Sequence, residues 1–237
     1  MLKRLLLTST LLVPSLSFAC PNWQANIKNN QPVGWDYQLN PQNIEVVSDP
    51  QDAKSQVIKL TITPNSTWPN GHTRTELKHN GCATDEGEST FFSWEFYLDK
   101  QITTMNNIAY WETDKTYQQG LGLYLQPSTE NGEKASELVF FSSMPSRKIH
   151  WQNTVNVAEW NKISLAIRWS KSEQSGHVSL WFNHQPILTQ LAVQTKPDVN
   201  ELFIQLGLHR NQSEETIDNI YLRNVIEAAS QSQLLKR

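Results

Sequence analysis

His72-Thr73-Arg74-Thr75-Glu76-Leu77-Lys78 places an ionisable side chain at every second position, with Thr73, Thr75 and Leu77 between them. In an extended strand alternate side chains point to opposite faces. His72, Arg74, Glu76 and Lys78 therefore share one face, and the more apolar set shares the other. Four ionisable groups in a row fit the polar wall of a cleft; a solvated strand face is the plainer alternative. A fixed guanidinium beside an ammonium suits an anionic ligand, because the arginine fork matches the shape of a carboxylate.

The period of two continues along the chain. Val57, Lys59 and Thr61 alternate with Ile58, Leu60 and Ile62, and Phe92, Trp94, Phe96 and Leu98 alternate with Ser93, Glu95 and Tyr97. Ile163, Leu165, Ile167 and Trp169 repeat the pattern, as do Val178, Leu180 and Phe182, then Leu202, Ile204, Leu206 and Leu208, and finally Ile220 and Leu222. Turn pairs such as Asn80-Gly81, Asn131-Gly132, Ser175-Gly176 and Asn183-His184 separate the runs. The only helical pattern is a short one near 227–235. Many strands with regular turns predict an all-β fold of two antiparallel sheets, a sandwich or jelly roll.

The first residues speak to compartment. Lys3 and Arg4 precede an apolar run over 5–13, and Ser17-Phe18-Ala19 supplies the small residues of a cleavage site. This pattern predicts a signal peptide over 1–19, too short to span a bilayer, and hence a secreted or periplasmic protein. Cleavage after Ala19 leaves Cys20 first. A lipid anchor on Cys20 is the competing reading, with Ser17 standing where such signals carry Leu. Cys20 and Cys82 are the two cysteines, and in an exported chain they are expected to form one disulfide. Residues 20–237 read as a single domain and a monomer, without repeat or linker and with a loose tail from about 228.

A formal net charge of −3 with no basic tract argues against nucleic acid as a partner, and no second apolar run is long enough to cross a membrane. Nine tryptophans accompany many Asn and Gln residues. Aromatic rings stack on the apolar faces of sugars and amides bond their hydroxyls, so the mixture leans toward carbohydrate. Tryptophans also fill sandwich cores.

Two further segments carry polar faces. In the strand over 201–210, Phe203, Gln205, Gly207 and His209 lie opposite the leucine and isoleucine positions. Gly207 either leaves room for a ligand or marks a bulge. In Ile108-Ala109-Tyr110-Trp111-Glu112, Tyr110 and Glu112 share a face and Trp111 lies opposite.

Taken in order, the Arg74-to-Lys78 strand, Trp94-Glu95-Phe96-Tyr97-Leu98, Trp181-Phe182-Asn183-His184, the strand over 203–210 and Asp218-Asn219-Ile220 resemble the jelly-roll polysaccharide lyases. The nearest group is that of heparin lyase I and glucuronan lyase, with the alginate lyases that carry an Arg-Thr-Glu-Leu-Arg strand more distant. The resemblance spans about 36–225. It implies a concanavalin-like β-jelly roll that binds an acidic polysaccharide on one sheet and cleaves it by β-elimination. No cofactor is required; a structural calcium is a further implication, with Asp218, Asp114 and Asp85 as oxygen donors but no calcium-loop spacing. Departures from the family pattern are specific. The usual Gln-x-His is Tyr110-x-Glu112, the usual Lys is Gln205 and the usual catalytic Tyr is His209, while Arg74 and Glu76 match.

Elimination across C4–C5 of a uronate needs its carboxylate neutralised, a base for the C5 proton and an acid for O4. Arg74 is the natural neutraliser, helped by Lys78 or Gln205. His209 is the expected base, His72 a second candidate, and Tyr110 the expected acid. Glu76, Lys78, Glu112, Gln205, Arg210 and Tyr124 complete the expected substrate contacts, and no metal ligand is assigned. Glu112 repels a uronate unless it is protonated or paired with Arg74 or Lys78. Two other readings stay open: a carbohydrate-binding protein without activity, and a glycoside hydrolase using Glu112 with Glu76 or another carboxylate.

Overall fold

The structure is a computed structural model that describes residues 22–82, 84–128, 135–228 and 230–234. A short β1 (Trp23–Gln24) precedes the hairpin of β2 (Asn26–Lys28) and β3 (Gln31–Val33), then β4 (Tyr37–Leu39). After a 3-10 turn at Pro41–Asn43 come β5 (Ile44–Asp49), β6 (Asp52–Ile62), β7 (Thr73–Asn80), β8 (Ser89–Tyr97) and β9 (Asn106–Thr113). The middle of the chain forms β10 (Gln119–Pro127), β11 (Ala135–Ser142), β12 (Lys148–Asn156) and β13 (Trp160–Arg168). The last elements are β14 (His177–Phe182), β15 (Gln185–Ala192), β16 (Leu202–Arg210), β17 (Asp218–Ala228) and α1 (Gln231–Leu234).

Two antiparallel sheets face each other. One runs β15-β14-β13-β8-β17-β6-β5, with β1 added on β17; the other runs β12-β11-β10-β9-β16-β7-β4. The predicted alternation supplies the layer between them. Ile58, Leu60 and Ile62 of β6, Phe92, Trp94 and Phe96 of β8, Ile163 and Leu165 of β13, and Leu202, Ile204, Leu206 and Leu208 of β16 all enter one core cluster. Each fully buried side chain of this size contributes about 1.5–3 kcal/mol by leaving water. Asn183 and His184 both take positive φ between β14 and β15, as do Asn29 and Asn30 between β2 and β3, the geometry that two-residue hairpins require.

Sequence order and sheet order differ where it matters. β16 lies between β9 and β7, so residues near 75, 110 and 205 become neighbours. The expected helix near 227–235 shrinks to α1, because β17 continues through Ala228. Nor is the end of the chain loose over 230–234: Leu234 is fully buried. At the opposite end, His79 stacks on Trp23 at 3.7 Å between ring centroids and bonds Glu227 at 2.8 Å, tying β1, β7 and β17 together. The signal peptide, Cys20 of the expected disulfide and the Asn131-Gly132 turn lie outside the described residues. No helix among the described residues is long and apolar enough to cross a membrane.

Gly207 resolves as a bulge. The β16–β9 register shifts between Leu206 and His209. A Cβ at Gly207 would stand 2.3 Å from the Thr75 carbonyl oxygen and 2.8 Å from the Glu76 Cα, and its φ is +147°. The space is taken by the strand carrying Arg74, not left open for a ligand. Gly207→Ala is expected to destabilise the protein by about 2–4 kcal/mol through backbone strain and overpacking, read as a lower urea midpoint.

Candidate active site

Strand register builds the site. Across β16 and β7, His209 faces Arg74, Gly207 faces Glu76 and Gln205 faces Lys78. Across β16 and β9, Gln205 faces Tyr110 and Phe203 faces Glu112. Because alternate residues share a face, Arg74, Glu76, Lys78, Tyr110, Glu112, Gln205 and His209 come together on the side of the sheet away from the core.

Arg74 is the hub. Its Nε donates to Glu76 Oε2 at 2.6 Å, and its Nη2 donates to Gln205 Oε1 at 3.1 Å and, in a short contact, to the Tyr110 hydroxyl. Tyr110 donates its own proton to Gln205 Oε1 at 2.8 Å. An arginine has only donors, so this network fixes the Gln205 amide with its oxygen inward. The Gln205 Nε2 and the Arg74 Nη1 make no hydrogen bond among the described residues. Both are donors available to a ligand.

His72 Nδ1 and His209 Nε2 lie 2.7 Å apart. His209 is buried, and its Nδ1 has no partner among the described residues. Burial, Arg74 and His72 hold the His209 imidazole down to about 3, and burial and Arg74 lower His72 as well. At neutral pH both rings are uncharged. Two neutral imidazoles carry two N–H protons, and one fills the bond between them. One outer nitrogen therefore keeps a free lone pair, whichever tautomer is adopted.

The carboxyls move the opposite way. Burial pushes Glu76 up to about 7 against the pull of Arg74, and burial pushes Glu112 up to about 7 against Arg74 and Lys78. Burial beside Glu76 raises the Tyr110 phenol well above its ordinary value. Tyr110 is 2% exposed, and its hydroxyl lies among Arg74, Gln205 and Glu76.

An open cleft of about 620 Å³ adjoins this network, lined by Arg74, Lys78, Glu112, Gln205 and Phe203 from the sheet. Lys78 Nζ sits 3.9 Å over the Phe203 ring, a cation–π contact. Three lining aromatics go beyond the residues that the sequence singles out. Trp68 is half-buried, and Tyr37 and Tyr117 are exposed at 53% and 68%. Trp68 and Tyr37 meet edge to face at 6.4 Å. The one sequence signal for Trp68 is its place in Trp68-Pro69-Asn70-Gly71, the turn that delivers the polar strand.

Other expected contacts lie elsewhere. Arg210 follows His209 and so points to the opposite face, where its Nη2 bonds Asp218 Oδ2 at 2.6 Å and its Nε bonds Asn106 Oδ1 at 2.9 Å. Tyr124 is buried against Phe141 on β11, under Arg147, whose guanidinium carbon is 5.0 Å from its ring centroid. Of the expected calcium donors, Asp218 is committed to Arg210, Thr103 and Asn106, and among the described residues no three acidic, His or Cys side chains are grouped to hold an ion.

Residues 21–225 match the family model described as polysaccharide lyase. The chain belongs to the polysaccharide lyase family. Its fold is similar to that of an endo-β-1,4-glucuronan lyase from the fungus Trichoderma reesei, with 18% identity and a TM-score of 0.66, covering 90% of this chain and 96% of that one. An alginate lyase from Klebsiella pneumoniae aligns at 9% identity and a TM-score of 0.54, over 79% and 85% of the two chains. The catalytic domain of a glycoside hydrolase family 131 protein from Coprinopsis cinerea aligns at 12% identity and a TM-score of 0.56, over 83% of each. Among curated proteins nothing matches. The family's jelly roll thus carries a polar floor whose groups differ in position from the pattern described above.

Arg210→Met tests the separation of scaffold from site. It leaves the Asp218 carboxylate buried without its cation and is expected to cost about 3–5 kcal/mol of stability. Turnover per folded molecule is expected to stay within about two-fold, because Arg210 lies on the face opposite Arg74 and His209.

Proposed function

We propose that this polysaccharide lyase cleaves a uronate-containing polysaccharide by β-elimination at the Arg74 site. The observation that carries the reading is the guanidinium held rigidly at the cleft by Glu76, Tyr110 and Gln205, with Nη1 and the neighbouring Gln205 amide uncommitted. Fixed donors aimed at a uronate carboxylate stabilise the charge that develops when the C5 proton leaves. Gln205 thereby supplies the amide that the family pattern places on the strand facing it.

The His72–His209 pair is the base. It is unprotonated at neutral pH, and a carboxylate bound at Arg74 offsets one cause of its low basicity. The imidazolium formed is a strong acid, for the same reason that it is a weak base, and passes its proton to O4 as the C4–O4 bond breaks. One C5 proton is lost, one O4 proton is gained, and the electron pair of C5–H becomes the C4=C5 bond. Tyr110 and Glu76 position Arg74. Trp68, Tyr37 and Tyr117 offer rings for sugars to stack on. A structural calcium is not part of the reading, and export by the segment over 1–19 is, supported by the sequence of that segment.

The hydrolase alternative cannot use Glu76 as its second carboxylate, because Glu76 is sealed from solvent and locked to Arg74. Incubation with uronate polymers separates the cases. Growth of the ultraviolet band of an unsaturated uronate is expected; new reducing ends without it would mean hydrolysis, and binding with neither would mean a lectin-like protein. Arg74→Ala is expected to lower kcat by about 10²–10³-fold, with folding checked by the thermal midpoint. His209→Ala is expected to lower kcat by roughly 10²–10⁴-fold and to change KM by only a few-fold. A main effect on affinity would move the base to His72.

A further inference from the structure

We propose that the substrate is a polymer in which the uronate bound at Arg74 is flanked by an uncharged sugar, and that Glu112 enforces this choice by repelling a second carboxylate. The inference rests on the lyase reading and adds the substrate class to it.

Charge along the cleft is balanced. Arg74 and Lys78 line it, but so do Glu112 and Asp36, two cations against two acidic groups. A site for a polymer with a carboxylate on every ring would be expected to carry an excess of cations. Glu112 lies two residues along β9 from Tyr110 on the same face, a step of about 6.5 Å, within the field of Arg74, so a sugar chain running along β9 from Arg74 would bring its next ring to Glu112. Its carboxyl makes no hydrogen bond or ion pair among the described residues. The groups around it come from each adjoining strand. Arg74, Glu76 and Lys78 stand on β7, Tyr110 on β9, uncharged Phe203 and Gln205 on β16, and Gln119 on β10.

Lys78 does not cancel this carboxyl as a salt bridge would. Its ammonium is drawn over the Phe203 ring, and no Lys78–Glu112 ion pair forms. An unpartnered carboxyl accepts hydrogen bonds from sugar hydroxyls or from an acetamido N–H, and it rejects carboxylate and sulfate. Like-charge contact at a partly buried carboxyl is a device by which a wrong ligand is refused. Burial that lifts Glu112 to about 7 makes the refusal depend on pH: the group is ionised above that value and neutral below it.

The test compares polymers that each offer a scissile bond at O4 of a uronate. The panel holds polyglucuronate, polymannuronate, unsulfated glucuronate alternating with N-acetylhexosamine, glucuronate alternating with glucose, and a sulfated version of an alternating polymer. The wild-type chain is expected to show kcat/KM at least ten-fold higher on an unsulfated alternating polymer than on either homopolyuronate or the sulfated polymer. Faster cleavage of a homopolyuronate or of the sulfated polymer would overturn the proposal and leave the lyase reading intact. No unsaturated product from any polymer would overturn the lyase reading itself. Glu112→Gln is expected to narrow the preference at least ten-fold, with homopolyuronate KM falling; an unchanged ratio overturns the role of Glu112. A pH series adds a second arm. The wild-type homopolyuronate KM is expected to rise as pH increases through about 7, and Glu112→Gln is expected to lose that rise, which separates Glu112 from Glu76 titrating in the same range; a flat wild-type KM, or a rise kept by the variant, counts against the proposal.

Discussion

A guanidinium buried on the outer face of a sheet must be satisfied by its neighbours, and the arrangement around Arg74 follows from that requirement. Glu76 answers the charge from the same strand, two residues on and therefore on the same face. Gln205 and Tyr110 answer the remaining geometry from the two adjacent positions across β16 and β9. Since the arginine only donates, the tyrosine oxygen accepts from it, and the one tyrosine proton is left for the Gln205 amide oxygen or the Glu76 carboxylate. A buried ion pair contributes little net stability compared with an apolar packing of the same volume. The network makes more sense as a means of holding a donor array still than as a means of holding the sheets together. Arg210 and Asp218 offer the contrast: an equally buried pair, turned inward and fully occupied.

The alternation of apolar residues makes the two-sheet core readable, because a strand that buries one face cannot slip its register without exposing it. Arg74, Glu76 and Lys78 are readable as a wall for the same reason, since they lie on one strand. Their meeting with Tyr110, Glu112, Gln205 and His209 depends on β16 entering between β9 and β7, and no local pattern encodes which distant strands pair. Arg210 is misplaced by the sequence reading although the rule is at hand: next to an outward His209, it must point inward. Its partner Asp218 belongs to the opposite sheet and leaves no trace in the strand itself. Trp68, Tyr37 and Tyr117 escape because they sit on turns and a short edge strand, where period two has nothing to say.

The departures from the family pattern look different once register is known. Gln205 and Tyr110 are directly opposed residues, so an amide moved from one strand to the next stays within reach of the same carboxylate. Elimination needs an inventory of donors and a proton acceptor near one carbon. It does not dictate which of two facing positions supplies each. The exchange also changes what Tyr110 can do. A phenol whose oxygen is capped by a guanidinium and whose proton faces an amide oxygen and a carboxylate is tied into the support of Arg74, which is why the proposed proton transfer is given to the imidazoles.

Burial acts with opposite sign on the two kinds of titrating group. It removes the proton from His209, whose charged form is the protonated one, and it keeps the proton on Glu112, whose charged form is the bare one. One desolvated floor therefore yields a neutral base and a carboxyl poised near neutrality without any further device. The two do not titrate together. Around pH 7 the imidazoles are already unprotonated and Arg74 stays charged, while Glu112 in the cleft wall and Glu76 beside Arg74 both change charge. The cleft wall and the support of the guanidinium therefore respond over the same pH range, and the imidazoles do not.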